Sequence, residues 1–262
     1  MNWLGRLGER TLGKIHFFFH VIAVAASVLV VAVRPRHWPR TVRDVLARQI
    51  LFTGVEAIRF ISLIALLVGI SIVVQVHVLL TRVGQSDLLG PILVAVIIRE
   101  LGPLLTNFVI IGRSGAAVTT ELGNMKINGE IDVLDSQGLD PFTYLVLPRA
   151  IGMMVSVFCL TIVFIVVAFA SGFLSGLLMG ANTGTPLMFI DSVMGALTPT
   201  DVMSLLAKAL IPPLLTATIC CVEGFNVGGA VTEVPQATTR SLMKSVAMLF
   251  IFSAMVSVLA FI

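Results

Sequence analysis

Five stretches of this chain are almost unbroken apolar sequence: Phe60–Leu80, Leu88–Ile111, Ala150–Gly180, Met203–Val222 and Ser241–Ile262. A helix rises ~1.5 Å per residue, so roughly 20 such residues cross the ~30 Å hydrocarbon core of a bilayer. Composition points the same way. Of 262 residues, 57% are hydrophobic and 12% charged, with mean hydropathy +1.04, against ~25% charged in soluble domains. Length alone would allow one or two soluble domains, but the runs demand an all-α integral membrane protein.

Lysines and arginines flank the runs and form no patch interleaved with aromatics, which suits lipid headgroups better than nucleic acid. Residues 1–59 hold nine of them, the 112–149 connection holds Arg113, Lys126 and Arg149, and Arg240 and Lys244 follow the fourth run. By contrast, 81–87 has only Arg82 and 181–202 has none. The bias places the N-terminus in the cytoplasm and, after five crossings, the C-terminus outside.

Ile15–Val33 is a sixth apolar run, with Arg6, Arg10 and Lys14 before it and Arg34, Arg36 and Arg40 after it. Crossing would strand one basic flank on the wrong side, so the expectation is an elbow that dips into the cytoplasmic leaflet and returns. An ordinary first span is the alternative. The run leads into Arg34-Pro35-Arg36 without a small-residue cleavage site, so it is not read as a cleaved signal peptide. In TVRDVLARQI (41–50), Val42, Val45, Leu46 and Ile50 recur at helical spacing opposite Arg43, Asp44 and Arg48, an amphipathic interfacial helix. The expected organisation is 1–59 as N-terminal interfacial and elbow helices and 60–262 as a five-span domain.

Ala150–Gly180 would be about 46 Å long as a helix, so it must tilt, kink or protrude. Gly172, Gly176 and Gly180 leave one of its faces nearly bare, as close helix packing requires. In 181–202, PLMFIDSVMGAL has the character of a short surface helix, and Thr198-Pro199-Thr200-Asp201 reads as the start of the next one. Cys159, Cys220 and Cys221 lack CxxC or Cys/His spacing and read as buried small side chains.

Few polar residues fall within the apolar runs. Arg99 and Glu100 lie in the second, Lys208 in the fourth, and Gln75 with His77 in the first. A charge at the centre of a span costs ~2.5–3.5 kcal/mol on insertion scales, so such groups face protein or a water-filled cavity. Neighbouring helical positions point about 100° apart, so Arg99 and Glu100 can serve different partners. Gly102-Pro103 follows, and Pro103 deprives the Arg99 carbonyl of its helical donor. A kink there, with a freed carbonyl open to a polar partner, suits a gate or a cavity wall. A buried ion pair that only fixes helix packing fits equally well.

The 112–149 connection contains MKINGEIDVLDSQGLDP, in which Ile127, Ile131 and Leu134 fall on one face of a short helix at about 128–137. Glu130, Asp132 and Asp135 occupy other faces, Gly138 can take the left-handed cap, and Asp140-Pro141 stops the helix. An acidic capped helix of this kind suits docking into a partner's groove. No nucleotide-binding GxxxxGK[ST] loop, HExxH or GxSxG motif is present, and the histidines lack metal-site spacing. The chain is not read as an enzyme.

RELGPLLTNFVIIGRSGAAVTTELGNMKINGEIDVLDSQGLDPFTYLVLPR (99–149) resembles the signature region of the MlaE (YrbE) permeases. That pattern runs RELGP, GR-G-A, an E-G-M step, an acidic I-D-L helix, G-DP and Y-V-PR. ALTPTDVMSLLAKAL (196–210) and ATTRSLMKS (237–245) are similar to later family segments.

The resemblance implies an inner-membrane subunit of an ABC transporter that moves phospholipids between the two membranes of diderm bacteria and maintains outer-membrane lipid asymmetry. It implies a homodimer enclosing a central lipid cavity, a cytoplasmic ATPase pair that binds ATP and Mg, a periplasmic MCE-domain ring and a small STAS-domain protein. This chain itself would bind no cofactor. Carried over, Arg99, Glu100 and Lys208, with Gln75 and His77, lie near the lipid cavity. The segment at 128–137 would be the coupling helix, with Glu121, Glu130, Ile131, Asp132, Leu134 and Asp135 facing the ATPase.

The sequence departs from the pattern at Pro212-Pro213, where glycine is usual, and at Val234-Pro235-Gln236 before ATT. The competing reading is a stand-alone secondary transporter with Arg99, Glu100 and Lys208 as ion-coupling groups. Such transporters usually carry internal repeats, and none is found here, whereas a two-fold dimer supplies the missing symmetry.

Overall fold

A computed structural model describes residues 19–32, 40–83, 89–178 and 186–261. Among the described residues there are helices and no strands. They are α1 (Phe19–Ala32), α2 (Arg40–Thr53), α3 (Ile58–Val83), α4 (Leu89–Leu93), α5 (Gly102–Ile110), α6 (Ala116–Ile127), α7 (Glu130–Ser136), α8 (Leu147–Leu178), α9 (Pro186–Ala196), α10 (Pro199–Phe225) and α11 (Glu233–Phe261). π-Helical segments join α4 to α5 (Val94–Leu101) and α5 to α6 (Ile111–Gly115), and a third, Phe142–Val146, leads into α8.

Five helical runs are long and apolar enough to cross a membrane: Val42–Arg82, Leu89–Ile127, Phe142–Leu178, Pro199–Phe225 and Glu233–Ala260. All five expected spans are present, and each run outlasts its apolar stretch. A helix satisfies its own backbone and therefore continues into the polar interface after hydrophobicity fades. The largest extensions are 42–59, ahead of the first expected span, and 112–127, where α6 turns the first part of the 112–149 connection into a continuation of the second span. α1 has 14 described residues, about 21 Å of helix. The ends of the expected elbow (15–18 and 33), Arg34, Arg36 and Gly180 lie outside the described residues.

The 41 residues from Val42 to Arg82 amount to about 60 Å of helix, twice a hydrocarbon core. Part of that run must therefore leave the core. In α2, Val42 and Gln49 are buried, Val45, Leu46 and Ile50 are half-buried, and Arg43, Asp44 and Arg48 are exposed, as the periodicity predicted. The buried face sits on α8, where a Cβ on Gly152 would come within 2.7 Å of Gln49 Cγ and 3.5 Å of Leu46 Cδ1. Arg113 ties the end of α2 to the second span. Its Nη1 donates to the Phe52 carbonyl at 3.0 Å, its Nη2 pairs with Glu56 at 2.5 Å, and its guanidinium lies 5.0 Å from the Phe52 ring centre. A cation at helix-end carbonyls also complements the helix dipole.

α3 packs along α8 through glycines on both sides. A Cβ on Gly69 would strike the Ala168 carbonyl and the Ser171 hydroxyl, and one on Gly172 would strike Val73. Gly176 is buried on the same face, so the glycine stripe serves close packing. Cys159 departs from expectation. It is exposed on α8, opposite the face that buries Ser156, Val157 and Leu160.

The short acidic helix is Glu130–Ser136, narrower than 128–137. Gly129 adopts φ +73° and separates it from α6, so Ile127 belongs to α6 and packs beside Val227, Val234 and Ala237. Gly138 takes the left-handed conformation expected of it, with φ +73°. Asp140 then accepts from Phe142 N (3.1 Å) and Thr143 N (3.2 Å), capping the next helix.

Gly69→Val should destabilise the α3–α8 contact by about 1–3 kcal/mol through overpacking. Gly195→Ala, within α9 and with nothing within 4 Å of its added carbon, should leave thermal stability in detergent equal or slightly higher. Parallel melting curves of the two variants check this.

Candidate functional site

The second span changes from π to α geometry at Gly102, with Pro103 in the first turn of α5. Gly102 is required because a Cβ would lie 2.9 Å from the Ile97 carbonyl and 3.2 Å from Ile165 Cγ1 on α8. The expected irregularity at Pro103 thus takes the form of a π segment, which carries both Arg99 and Glu100. π-Helical insertions of this kind recur at functional sites.

Arg99 and Glu100 serve different neighbours. Arg99 grips Asp201 in a two-point ion pair, Nε to Oδ1 at 2.5 Å and Nη2 to Oδ2 at 3.2 Å. Asp201 is fully buried and is also the third residue of α10. There it accepts from Thr198 N (2.9 Å) and Thr198 Oγ1 (2.8 Å), and its own N–H bonds to Thr198 Oγ1 at 3.4 Å. This is a capping box, so one carboxylate both starts the fourth span and neutralises Arg99. Sequence reasoning recognised Thr198–Asp201 as a helix start and missed its second task.

Glu100 faces Lys208 on α10. Lys208 Nζ, with its side chain 3% exposed, lies 2.7 Å from Glu100 Oε1, 2.7 Å from Ser257 Oγ and 2.8 Å from the Arg99 carbonyl. Those three acceptors match the three protons of an ammonium. The third is the carbonyl that Pro103 deprives of a helical donor. Ser257 donates to Glu100 Oε1, and Ser253 donates to Oε2 at 3.4 Å. The four formal charges cancel, which removes most of the penalty each would carry alone.

Ser253 and Ser257 were not anticipated, although their signal is plain. Ser241, Ser245, Leu249, Ser253 and Ser257 recur every fourth residue along α11. The first four are buried on one face, and α11 packs by it against α10 and α6. Gln75 and His77 are not drawn into this cluster. They lie on α3, which packs chiefly on α8, and Gln75 donates to Ser71 on its own helix at 3.1 Å.

Beside the cluster lies an apolar groove of about 450 Å³ between α8, α9 and the π segment, with Ile98, Ile165, Phe169, Phe189, Val193 and Leu197 among its walls. Ile98 directly precedes Arg99, and Leu197 directly precedes Thr198. Phe189 of α9 packs edge-on against Phe169 and tilted against Phe173 of α8, with ring centres 6.3 and 5.3 Å away. The Leu197 end of the groove therefore adjoins the ion pair.

At the other end of the bundle, buried Arg149 pairs with Glu121 at 2.9 Å. Lys126 pairs with Asp132 at 3.1 Å, and Asn128 donates to Glu130 at 3.2 Å. Ile131 is buried and Leu134 half-buried, while Asp132, Val133 and Asp135 are exposed. Glu223, unforeseen from the sequence, is buried and holds Arg240 at 3.4 Å and Lys244 at 2.5 Å. Among the described residues no three His, Cys, Asp or Glu side chains converge as a metal site.

Residues 46–259 match the family described as Permease MlaE. A probable ABC transporter permease protein of Rickettsia typhi is 26% identical over 261 residues, covering 100% of this chain and 98% of the relative. The intermembrane phospholipid transport system permease protein MlaE of Haemophilus influenzae is 26% identical over 247 residues, covering 94% and 92%. A probable ABC transporter permease protein of Synechocystis is 31% identical over 214 residues, covering 81% and 80%.

Asp201→Asn keeps an acceptor for the α10 cap but leaves the Arg99 charge without its counter-ion. The loss should be about 3 kcal/mol, at the low end for a broken buried pair because Arg99 is partly exposed. Adding Arg99→Leu should recover most of that loss, since the unpaired charge goes with it. Thermal unfolding of both variants in detergent measures the difference.

Proposed function

This chain belongs to the MlaE permease family, a permease subunit of an ABC transporter, and on that premise we propose that it moves phospholipids between the inner and outer membranes and so maintains lipid asymmetry. The observation that carries the reading is the juxtaposition at Leu197–Thr198 of a partly buried ionic cluster and an apolar groove. A phospholipid has the same division, with a charged headgroup and hydrocarbon chains. Arg99, the cation of the cluster that is partly exposed, supplies positive charge for a phosphate, Lys208 holds Glu100 beside it, and the groove supplies the wall for an acyl chain. Gln75 and His77, remote from that cluster in one copy, are assigned to the cavity between two copies.

The chain lacks a nucleotide-binding loop, so energy comes from a partner ATPase dimer that binds ATP and Mg. α7 docks on that ATPase from the cytoplasmic side through exposed Glu130, Asp132 and Asp135, while Ile131 and Leu134 seat the helix on the permease itself, and Glu121 borders the contact. Residues 1–59 lie at the cytoplasmic interface and 60–262 form the permease proper, with the N-terminus cytoplasmic and the C-terminus periplasmic. Two copies face one another below an MCE-domain ring, and a STAS-domain protein sits on the ATPase. An ion-coupled carrier fits less well, because Lys208 is saturated by three acceptors within its own chain.

The test is lipid transfer by the complex reconstituted in proteoliposomes. Arg99→Ala should lower ATP-driven transfer at least ~10-fold, the loss expected when a charge-assisted hydrogen bond worth roughly 1.5–3 kcal/mol is removed. Ala170→Trp, which fills the groove, should lower transfer while ATP hydrolysis persists. Normal transfer by Arg99→Ala, or transfer that needs no ATP, would overturn the proposal.

A further inference from the structure

α10 contains Pro212 and Pro213 in its interior. Pro212 lacks the N–H that would bond to the carbonyl four residues earlier, which is that of Lys208. The gap in the helix ladder therefore falls on the peptide group of the residue whose ammonium holds Glu100. A carbonyl left without a donor at membrane depth is unfavourable by itself, and here it would also loosen the backbone that aims Lys208.

Asn107 fills the gap from the second span. Its Nδ2 lies 3.1 Å from the Lys208 carbonyl and 2.8 Å from the Pro103 carbonyl. The side chain is 1% exposed. Carboxamide oxygen and nitrogen are easily interchanged in a structure, but here the partners decide. The reverse orientation would press an oxygen against two carbonyl oxygens. Oδ1 itself has no hydrogen-bond partner, so the residue is kept in an apolar interior for its two donors alone. That is an unusual expense for a residue whose task was only to fill space.

We infer that Asn107 is a positioning residue for Lys208, its carboxamide standing in for the backbone N–H that Pro212 lacks. The exchange between the spans is reciprocal. Pro103 breaks the second span at the Arg99 carbonyl, and Lys208 of α10 donates to it at 2.8 Å. Pro212 breaks the fourth span at the Lys208 carbonyl, and Asn107 of α5 donates to that. A slip of either helix by one residue would withdraw both donors together, so the two prolines make the register of the spans specific. The simpler role for Asn107 is a bond back to Pro103 on its own helix, as short polar side chains often make. That bond would be indifferent to residue 212, which separates the two roles.

The experiment compares Asn107→Ala, Pro212→Ala and the double variant in the full complex. Pro212→Ala returns an N–H to the Lys208 carbonyl and makes the carboxamide redundant. Asn107→Ala alone should lower lipid transfer roughly tenfold, the scale of one buried carbonyl left without its donor. It should also raise modification of Lys208 by an amine-acylating reagent, quantified by peptide mass spectrometry. The double variant should match Pro212→Ala in both readouts. An Asn107→Ala effect as large in the Pro212→Ala background as in the parent chain, or unchanged Lys208 modification, would overturn the inference. If Asn107→Ala fails to accumulate, recovery of accumulation in the double variant supports the inference and continued failure overturns it. Only the transfer readout rests on the phospholipid reading. Were the parent complex to move no lipid, that reading would fall, and Lys208 modification would still decide the role of Asn107.

Discussion

Charge in a low-dielectric slab must be neutralised locally, and the tertiary arrangement of this protein follows from how it does so. Arg99 and Glu100 on the second span are balanced by Asp201 and Lys208 on the fourth, while Ser253 and Ser257 on the fifth complete the shell around Glu100. Helices in lipid gain little from burying apolar surface against one another, since the tails are equally apolar. Ionic and hydrogen-bonded contacts therefore carry much of the specificity that a soluble core takes from hydrophobic burial. Once Asp201 meets Arg99 and Lys208 meets Glu100, the axial positions of the second and fourth spans are set within a fraction of a turn.

The first and third spans are joined by a different device. Gly69 and Gly172 bring α3 and α8 so close that a single methyl group would collide, so dispersion over a long contact replaces charge pairing. Gly152 repeats this where α2 rests on α8, and Arg113 anchors the end of α2 to the second span. The apolar groove lies where the two schemes meet, bounded by α8 on one side and by the π segment holding Arg99 on the other. The gap is apolar because no polar side chain from either scheme points into it.

Much of the fold was legible in the sequence, for reasons that can be named. Spans are local objects, since apolar length and helical geometry suffice to define them, and all five were read, with helix continuing past the expected ends most at 42–59 and 112–127. Gly138, the Thr198–Asp201 helix start and the amphipathic face of α2 are likewise local. The site was half legible. That Arg99 and Glu100 must be served by different partners follows from helical geometry, and that Pro103 frees the Arg99 carbonyl follows from covalent structure. Neither fact names the partner. Asp201 looked like a cap, and nothing local to Asn107, Ser253 or Ser257 marked them as its neighbours in a polar site. Cys159 looked buried because apolar neighbours surround it in the sequence, yet it lies on the outward face of α8.

By itself the sequence determined what a bilayer enforces residue by residue: the number of spans, their helical character, the places where prolines break the ladder, and the charges that need neutralising. The tertiary structure alone decided which group answers each need. Lys208 reaches the Arg99 carbonyl across 109 positions of sequence, and Asn107 reaches the Lys208 carbonyl across 101. The physical reason is that a missing donor or counter-charge is a local property of the chain, whereas its remedy depends on which helix face lies opposite, and that is settled only when the spans pack.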